Sequence, residues 1–165
     1  MRFYPDHPSI VGPFVEAFSK VYGKIPTVRS YGTHFCVSIT SKTVVSDLLK
    51  ESAYSSLGWY VPKWILKSKN YSKEWLRAFF DAEASVSKYD VRVQSINKSG
   101  LLQVKSMLKL FNIKTREYRY SRQNPRWNVN YHLSIQKNSS RLIFLRTIGF
   151  NHSEKLKKLL TAEVA

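Results

Sequence analysis

The chain has 165 residues, with 27 Lys and Arg against 11 Asp and Glu, for a formal net charge of +16. Its 43% apolar and 14% aromatic content is enough to bury a core, which excludes a disordered basic tail. No run approaches the roughly 20 apolar residues of a membrane-spanning helix, and the opening MRFYPDHPSI lacks the apolar core of a secretory signal.

A single cysteine, Cys36, excludes an internal disulfide, and His7, His34, His132 and His152 are too scattered for a metal-ligand cluster. These features lead us to expect a soluble, non-secreted protein of the cytoplasm, or of an organelle matrix if organelle-encoded, with no membrane partner. From Ala84 to Ser153 the Lys and Arg residues far outnumber the two acids, Asp90 and Glu117. Nucleic acid is therefore the leading partner class, ahead of a membrane surface or an acidic protein.

In chain order, Ile10 to Tyr22 predicts a helix, with Pro13 in its opening turn and Gly23 at its close. Ile25 to Ser30 and Thr33 to Thr40 predict two strands joined at Tyr31-Gly32. In the second, Phe35, Val37 and Ile39 are expected inward and His34, Cys36 and Ser38 outward. Lys42 to Lys50 predicts a helix, and Tyr54 to Asn70, with Trp59, Val61-Pro62 and Trp64, a packed connector.

The second half repeats this order. Ser99 is expected to cap a helix ending at Phe111, Lys114 to Ser121 and Asn128 to Ile135 read as strands, and Ser139 to Thr147 reads as a helix. Leu133-Ser134-Ile135 aligns with Val37-Ser38-Ile39, and the extra length falls mostly in the loop from Arg122 to Trp127. Ahead of this second copy come a helix at Lys73 to Glu83, a strand around Ala84 to Lys88 and a strand at Val91 to Ile96. Only Arg2-Phe3-Tyr4 corresponds to the last of these in the first copy, so the expectation is that roughly 20 residues are lacking ahead of Met1.

The segment from Ser72 to Ser85 carries the chemistry. Ser72 is the expected N-cap. Trp75, Phe79 and Ala82 fall on one helical face and Leu76, Phe80 and Glu83 on another, so both sides are expected to be packed. Ala78 and Ala82, four apart, leave a shallow strip for a second helix. Asp81 and Glu83 stand at the helix end, where the macrodipole disfavours negative charge, which points to a role other than stability. A carboxylate in a basic groove suits Mg²⁺ beside a phosphate. The alternative is that Asp81 pairs with Arg77 and Glu83 is solvated.

Leu76 to Ala84, LRAFFDAEA, resembles the signature helix of the LAGLIDADG homing endonucleases. The likeness extends to Val61-Pro62-Lys63-Trp64-Ile65 before it, to Ser95-Ile96-Asn97-Lys98-Ser99-Gly100-Leu101 after it, and to Ile148-Gly149-Phe150 with Lys155. It implies an α+β fold of two αββαββα repeats whose two antiparallel sheets form a DNA-binding saddle. On this likeness the first repeat, at 1–53, is expected to be N-terminally incomplete, with 54–71 a connector and 72–165 a complete second repeat.

The implied function is that of an intron-encoded, Mg²⁺-dependent DNA endonuclease making double-strand breaks at a long target. The alternative is a non-cleaving binder, either an intron RNA maturase or a degenerate DNA binder. By resemblance Glu83 is the metal-binding acid, with the backbone carbonyl of Ala84 beside it. Lys98 serves near the cleaved phosphate, and Ala78, Asp81 and Ala82 belong to the helix interface. Position 84 is Ala where the family usually has Gly. The first signature helix is missing from the pattern, so the expected partners are double-stranded DNA, with intron RNA as an option, and a homodimer mate or a separate chain that supplies the second helix.

If the saddle forms, the outward residues of its strands read bases or meet phosphate. They include Thr27, Arg29, His34 and Ser38 in the first copy, and Arg92, Gln94, Arg116 or Arg119, Asn130 and His132 in the second. Lys88, Lys114, Arg122 and Arg126 flank them as phosphate contacts. Tyr118 and Tyr120 are expected as core or edge aromatics, with stacking on unpaired bases as the alternative.

Overall fold

The computed structural model describes residues 1–32, 34–53, 55–121 and 126–164. Thr33, Tyr54, Ala165 and the loop 122–125, with the expected phosphate contact Arg122, lie outside the described residues. The architecture is α+β with two antiparallel sheets.

In the first unit, β1 (Arg2–Phe3) leads through a 3-10 turn to α1 (Val11–Tyr22), β2 (Thr27–Ser30), β3 (Phe35–Ser38) and α2 (Lys42–Glu51). Gly23 ends α1 in the left-handed region at φ 62°, which its missing Cβ permits. The connector carries α3 (Lys63–Leu66). The second unit follows as α4 (Lys69–Glu83), β4 (Ser85–Val86), β5 (Val91–Ser95), α5 (Lys98–Lys109), β6 (Arg116–Tyr120), β7 (Asn130–Ile135), α6 (Asn138–Thr147) and α7 (Ser153–Val164).

The strand registers display an internal duplication. The sheets run β1-β3-β2 and β4-β5-β7-β6. Arg2 and Thr27 flank Ser38 as Arg92 and Arg116 flank Ser134, while Arg29 faces Cys36 as Tyr118 faces His132. Among the described residues the first unit has no counterpart of α4 and β4.

The main core lies wholly in the second unit and its connector. Leu76 and Phe80 of α4 are buried among Val93, Leu101, Val104, Met107, Leu133 and Phe144, with the Phe80 and Phe144 rings 4.9 Å apart. Each such side chain stabilises the fold by about 1.5–3 kcal/mol. No helix among the described residues is long and apolar enough to cross a membrane.

Two helix caps differ from the sequence expectation. Helix α4 begins one turn early, capped by Ser68, whose Oγ accepts from the Tyr71 backbone N–H. Ser72 is instead buried inside α4 and donates to the Ile65 carbonyl, which joins α3 to α4. The cap of α5 is Asn97, not Ser99. Its Oδ1 accepts from the Gly100 N–H at 3.0 Å and from the Ser99 hydroxyl. Cys36, on the polar face of the central strand β3 as the alternation requires, is nonetheless buried.

Candidate nucleic-acid interface and acidic helix end

Asp81 and Glu83 are two residues apart near the end of α4, so they project in different directions. The Asp81 carboxylate is 5% exposed. It accepts the backbone N–H groups of Asn151 (2.9 Å) and His152 (2.9 Å), at the mouth of α7, where the positive end of the helix dipole favours an anion. Burial raises the Asp81 pKa despite these opposing hydrogen bonds.

Within this chain Asp81 ties α4 to the turn before α7. One expectation is corrected: Asp81 is not placed against the local field, because it answers one helix terminus while Lys155 answers another. The Lys155 ammonium donates to the Asp81 and Phe80 carbonyls at the end of α4, and burial lowers its pKa although Asp6, Asp81 and Glu83 pull the other way. Arg77 does not pair with Asp81 either. It donates to Glu74 and to the Ile148 carbonyl, both at 2.7 Å.

Glu83 is left exposed, beside the exposed Ala78 and Ala82. The expected burial of Glu83 against a helical mate is therefore absent from this chain by itself. Its side chain lines an open groove of about 680 Å³ with Trp59, Trp75, Phe79, Gln94 and Ser95. Trp75 and Phe79, half-buried, stack at 5.0 Å. The Leu76–Phe80 side of α4 is packed, and the Ala78–Ala82 side is bare. Ala84 takes φ −81° and ψ 141°, ordinary extended backbone that needs no glycine, and its methyl group is buried in the core.

Lys98 stands at the first turn of α5 with its ammonium 5.8 Å from the Tyr131 ring centroid. The structure gives it no ion pair with Glu83. The cation electrostatically linked to Glu83 is Lys155. Among the described residues no group of three or more His, Cys, Asp or Glu side chains is placed to hold a metal ion.

The outer face of the second sheet follows from its ladders. Arg92, Ser134 and Arg116 form one cross-strand row, Gln94, His132 and Tyr118 the next, and Asn130 with Tyr120 the third. Asn130 donates to the Gln94 side chain at 3.3 Å. Arg119 is the exception among the expected readers: it faces Tyr131, on the side of the helices, so Arg116 and not Arg119 belongs to the polar face. Tyr118 and Tyr120 are likewise not core residues, being 44% and 57% exposed on that polar face.

In the first sheet Arg2, Thr27, Arg29, Cys36 and Ser38 share the corresponding face. His34 lies at its edge with Tyr31 stacked on it at 5.6 Å. Lys88 is exposed in the turn between β4 and β5, along a groove lined by Lys157 and Lys158.

One residue escaped the sequence reading. Asp90, 4% exposed, accepts from Arg92 Nε (2.9 Å), Ser134 Oγ (2.8 Å) and Ser87 Oγ (2.7 Å). Burial alone would raise its pKa, but these donors outweigh burial and hold it below the usual value. Asp90 thus fixes Arg92 at the edge of the polar face. Its being one of only two acids in a long basic stretch was the available signal. In the next row His132 Nε2 is buried without a hydrogen-bond partner among the described residues, and burial, then Arg92, lowers the His132 pKa.

With this geometry in place, residues 70–149 match the LAGLIDADG-like domain. Through this segment, a little under half of the chain, the protein resembles the LAGLIDADG family. A stretch of 102 residues is 33% identical to the replication factor C small subunit of Methanocaldococcus jannaschii, covering 61% of this chain and 5% of that protein. The chain thus spans only a small part of that relative.

The fold resembles mesophilic variants of the homing endonuclease I-DmoI, with a TM-score of 0.64 and 12% identity over 90% of this chain and 78% of that one. It also resembles I-DmoI solved in complex with DNA and Mn, with a TM-score of 0.61 and 16% identity over 90% of this chain and 80% of that one. The two antiparallel sheets and their helices have the LAGLIDADG homing endonuclease fold.

Proposed function

We propose that the chain is a site-specific DNA endonuclease of the LAGLIDADG homing type. It hydrolyses phosphodiester bonds in both strands of a long duplex target with a divalent cation such as Mg²⁺, once a second signature-type helix covers the Ala78–Ala82 side of α4. The observation that carries this reading is the contrast within α4. One side is fully buried, while the other presents two alanines and ends on Glu83, an acid that neither core nor cap employs. The mate is a second copy or a separate chain.

Glu83 and the Ala84 carbonyl are hard oxygen donors of the kind Mg²⁺ takes, and exposure leaves Glu83 open to the groove. They fit one share of such a site; the mate supplies the other acid. When bound, the cation would polarise a phosphate oxygen and stabilise developing charge.

The chain's own residues do the rest. Lys155, clamped on the α4 carbonyls, and Asp81, clamped on the turn before α7, hold the end of the helix and thereby the direction of Glu83. Arg92 and Gln94 from β5, Asn130 and His132 from β7, and Arg116 from β6 meet base edges, joined by Arg29, His34 and Ser38 of the first sheet. Lys88 meets phosphate, and Lys98 assists at the cleaved one. Selection from a randomised duplex library with Mg²⁺ tests this: cleaved products from the wild-type chain, or from the chain mixed with its mate, support it. Retained tight binding with no product under either condition overturns it.

One observation favours a second reading, a non-cleaving binder of DNA or intron RNA. Among the described residues Glu83 belongs to no group of three or more His, Cys, Asp or Glu side chains placed to hold a metal ion, so a chain that never meets a mate would bind and not cut. In that case substituting Glu83 would change nothing measurable.

A further inference from the structure

The polar face of the second sheet carries two large rings that a duplex reader does not require. Tyr118 and Tyr120 alternate with Arg119 on β6, so both rings project from the face that holds Arg92, Gln94, Asn130 and His132. They are 44% and 57% exposed. Two residues along a strand are separated by about 7 Å, wide enough for each ring to receive its own base. Among the described residues strand β6 pairs with β7 alone and is an edge of its sheet, which leaves the rings open to approach from the side.

Cations border the pair: Arg116 lies on the same strand, and Arg92 is close enough for the Tyr118 oxygen to raise its pKa. His132, with its unpartnered Nε2, sits between Gln94 and Tyr118 in one row. At the place matching Tyr118, the first sheet has Arg29. At the place matching Tyr120 the first sheet has Tyr31, opposite His34, so the pair of rings, and not the single ring, is a property of the second sheet.

Aromatic faces reward only bases whose own faces are available. In a duplex both faces of each base are taken by the stack, whereas unpaired bases can splay onto a tyrosine while the phosphates meet arginine. We infer that Tyr118 and Tyr120 form a stacking platform for unpaired bases, so that the second sheet binds single-stranded nucleic acid in addition to any duplex. This does not depend on whether Glu83 cuts.

The test measures fluorescence anisotropy of the full chain with labelled oligothymidine and oligouridine of about 12 nucleotides, within the range of single-strand site sizes, and with a duplex of equal length. Tyr118→Ala and Tyr120→Ala are each expected to weaken single-strand binding about fivefold or more, from the usual worth of a stacked base. Duplex binding should change less than about twofold, and Tyr→Phe at either place should keep near wild-type affinity because the ring remains. Tighter binding of oligouridine would identify RNA as the preferred strand, and of oligothymidine DNA; either supports the platform. Alanine variants that leave single-strand affinity unchanged, or that lose single-strand and duplex affinity equally, overturn it. Both residues are exposed, so the variants should fold, which circular dichroism checks.

Discussion

The two units share a strand order, a register and a helix-strand-strand-helix sequence, yet one holds a packed apolar core and the other is thin. Helix α5 buries Gly100, Leu101, Val104, Met107 and Leu108, whereas its counterpart α1 buries only Phe18. Val21, Ile25 and Leu49 of the first unit are 71%, 82% and 60% exposed. The difference tracks one segment. The second unit has α4 lying on its core, inserting Leu76 and Phe80, and the first has no such helix among the described residues. A repeat of this kind is thus stabilised chiefly by the helix that also carries its acid, which ties folding and site assembly to the same element.

The largest effect should come from removing what α4 contributes. Phe80→Ala is expected to cost about 3–5 kcal/mol in urea unfolding, and Phe18→Ala, in the thinner core, about half of that; equal costs would break the comparison. Next, Asp81→Ala leaves the Asn151 and His152 N–H groups without their acceptor and should cost about 1.5–3 kcal/mol. A loss near zero would mean that the α4–α7 clasp does not hold.

Matched glycines sharpen the contrast. A Cβ at Gly100 would stand 2.6 Å from the Trp59 ring, so Gly100→Ala should cost about 1–3 kcal/mol and shift tryptophan fluorescence as Trp59 is displaced. At Gly12, near the start of α1, a Cβ meets nothing within 4 Å, and Gly12→Ala should stabilise by about 0.4–1 kcal/mol.

The smallest effect is the pH dependence of one network. Because the Asp90 pKa is lowered in the fold, its contribution is complete above about pH 4, the ordinary carboxylate value, and is lost as pH falls through the lowered one. Asp90→Asn should therefore flatten the acid limb of a Tm-against-pH curve and leave neutral pH less affected by further titration. The first unit, with Arg2 and Ser38 in the matching places, shows no such buried acid among the described residues and should contribute no comparable acid step.

Much of the fold could be read from periodicity. The pairing of Val37-Ser38-Ile39 with Leu133-Ser134-Ile135 already carried the duplication, because alternation fixes both the face and the register of a strand. What escaped were choices between equivalent local signals. Ser68 and Ser72 each precede a helical stretch, and only the carbonyl of Ile65, brought near by α3, draws Ser72 inward. Asp81 and Glu83 look alike at a helix end, and only the turn at Asn151 and His152, about 70 positions later in the chain, gives one of them backbone donors. Tyr118 and Arg119 differ by one position on an edge strand that is exposed on both faces, so burial could not mark which of them pointed to the helices.

The proposed cleavage requires Glu83 as the acid left over for chemistry. The direct measurement compares wild type with Glu83→Gln on duplexes selected from a randomised library, scoring Mg²⁺-dependent cleavage and binding in parallel. The expected result is cleavage lost by about a hundredfold or more, the scale of removing a positioned electrostatic group, with binding within about twofold of wild type. Cleavage that continues unchanged in the glutamine variant would contradict the assignment.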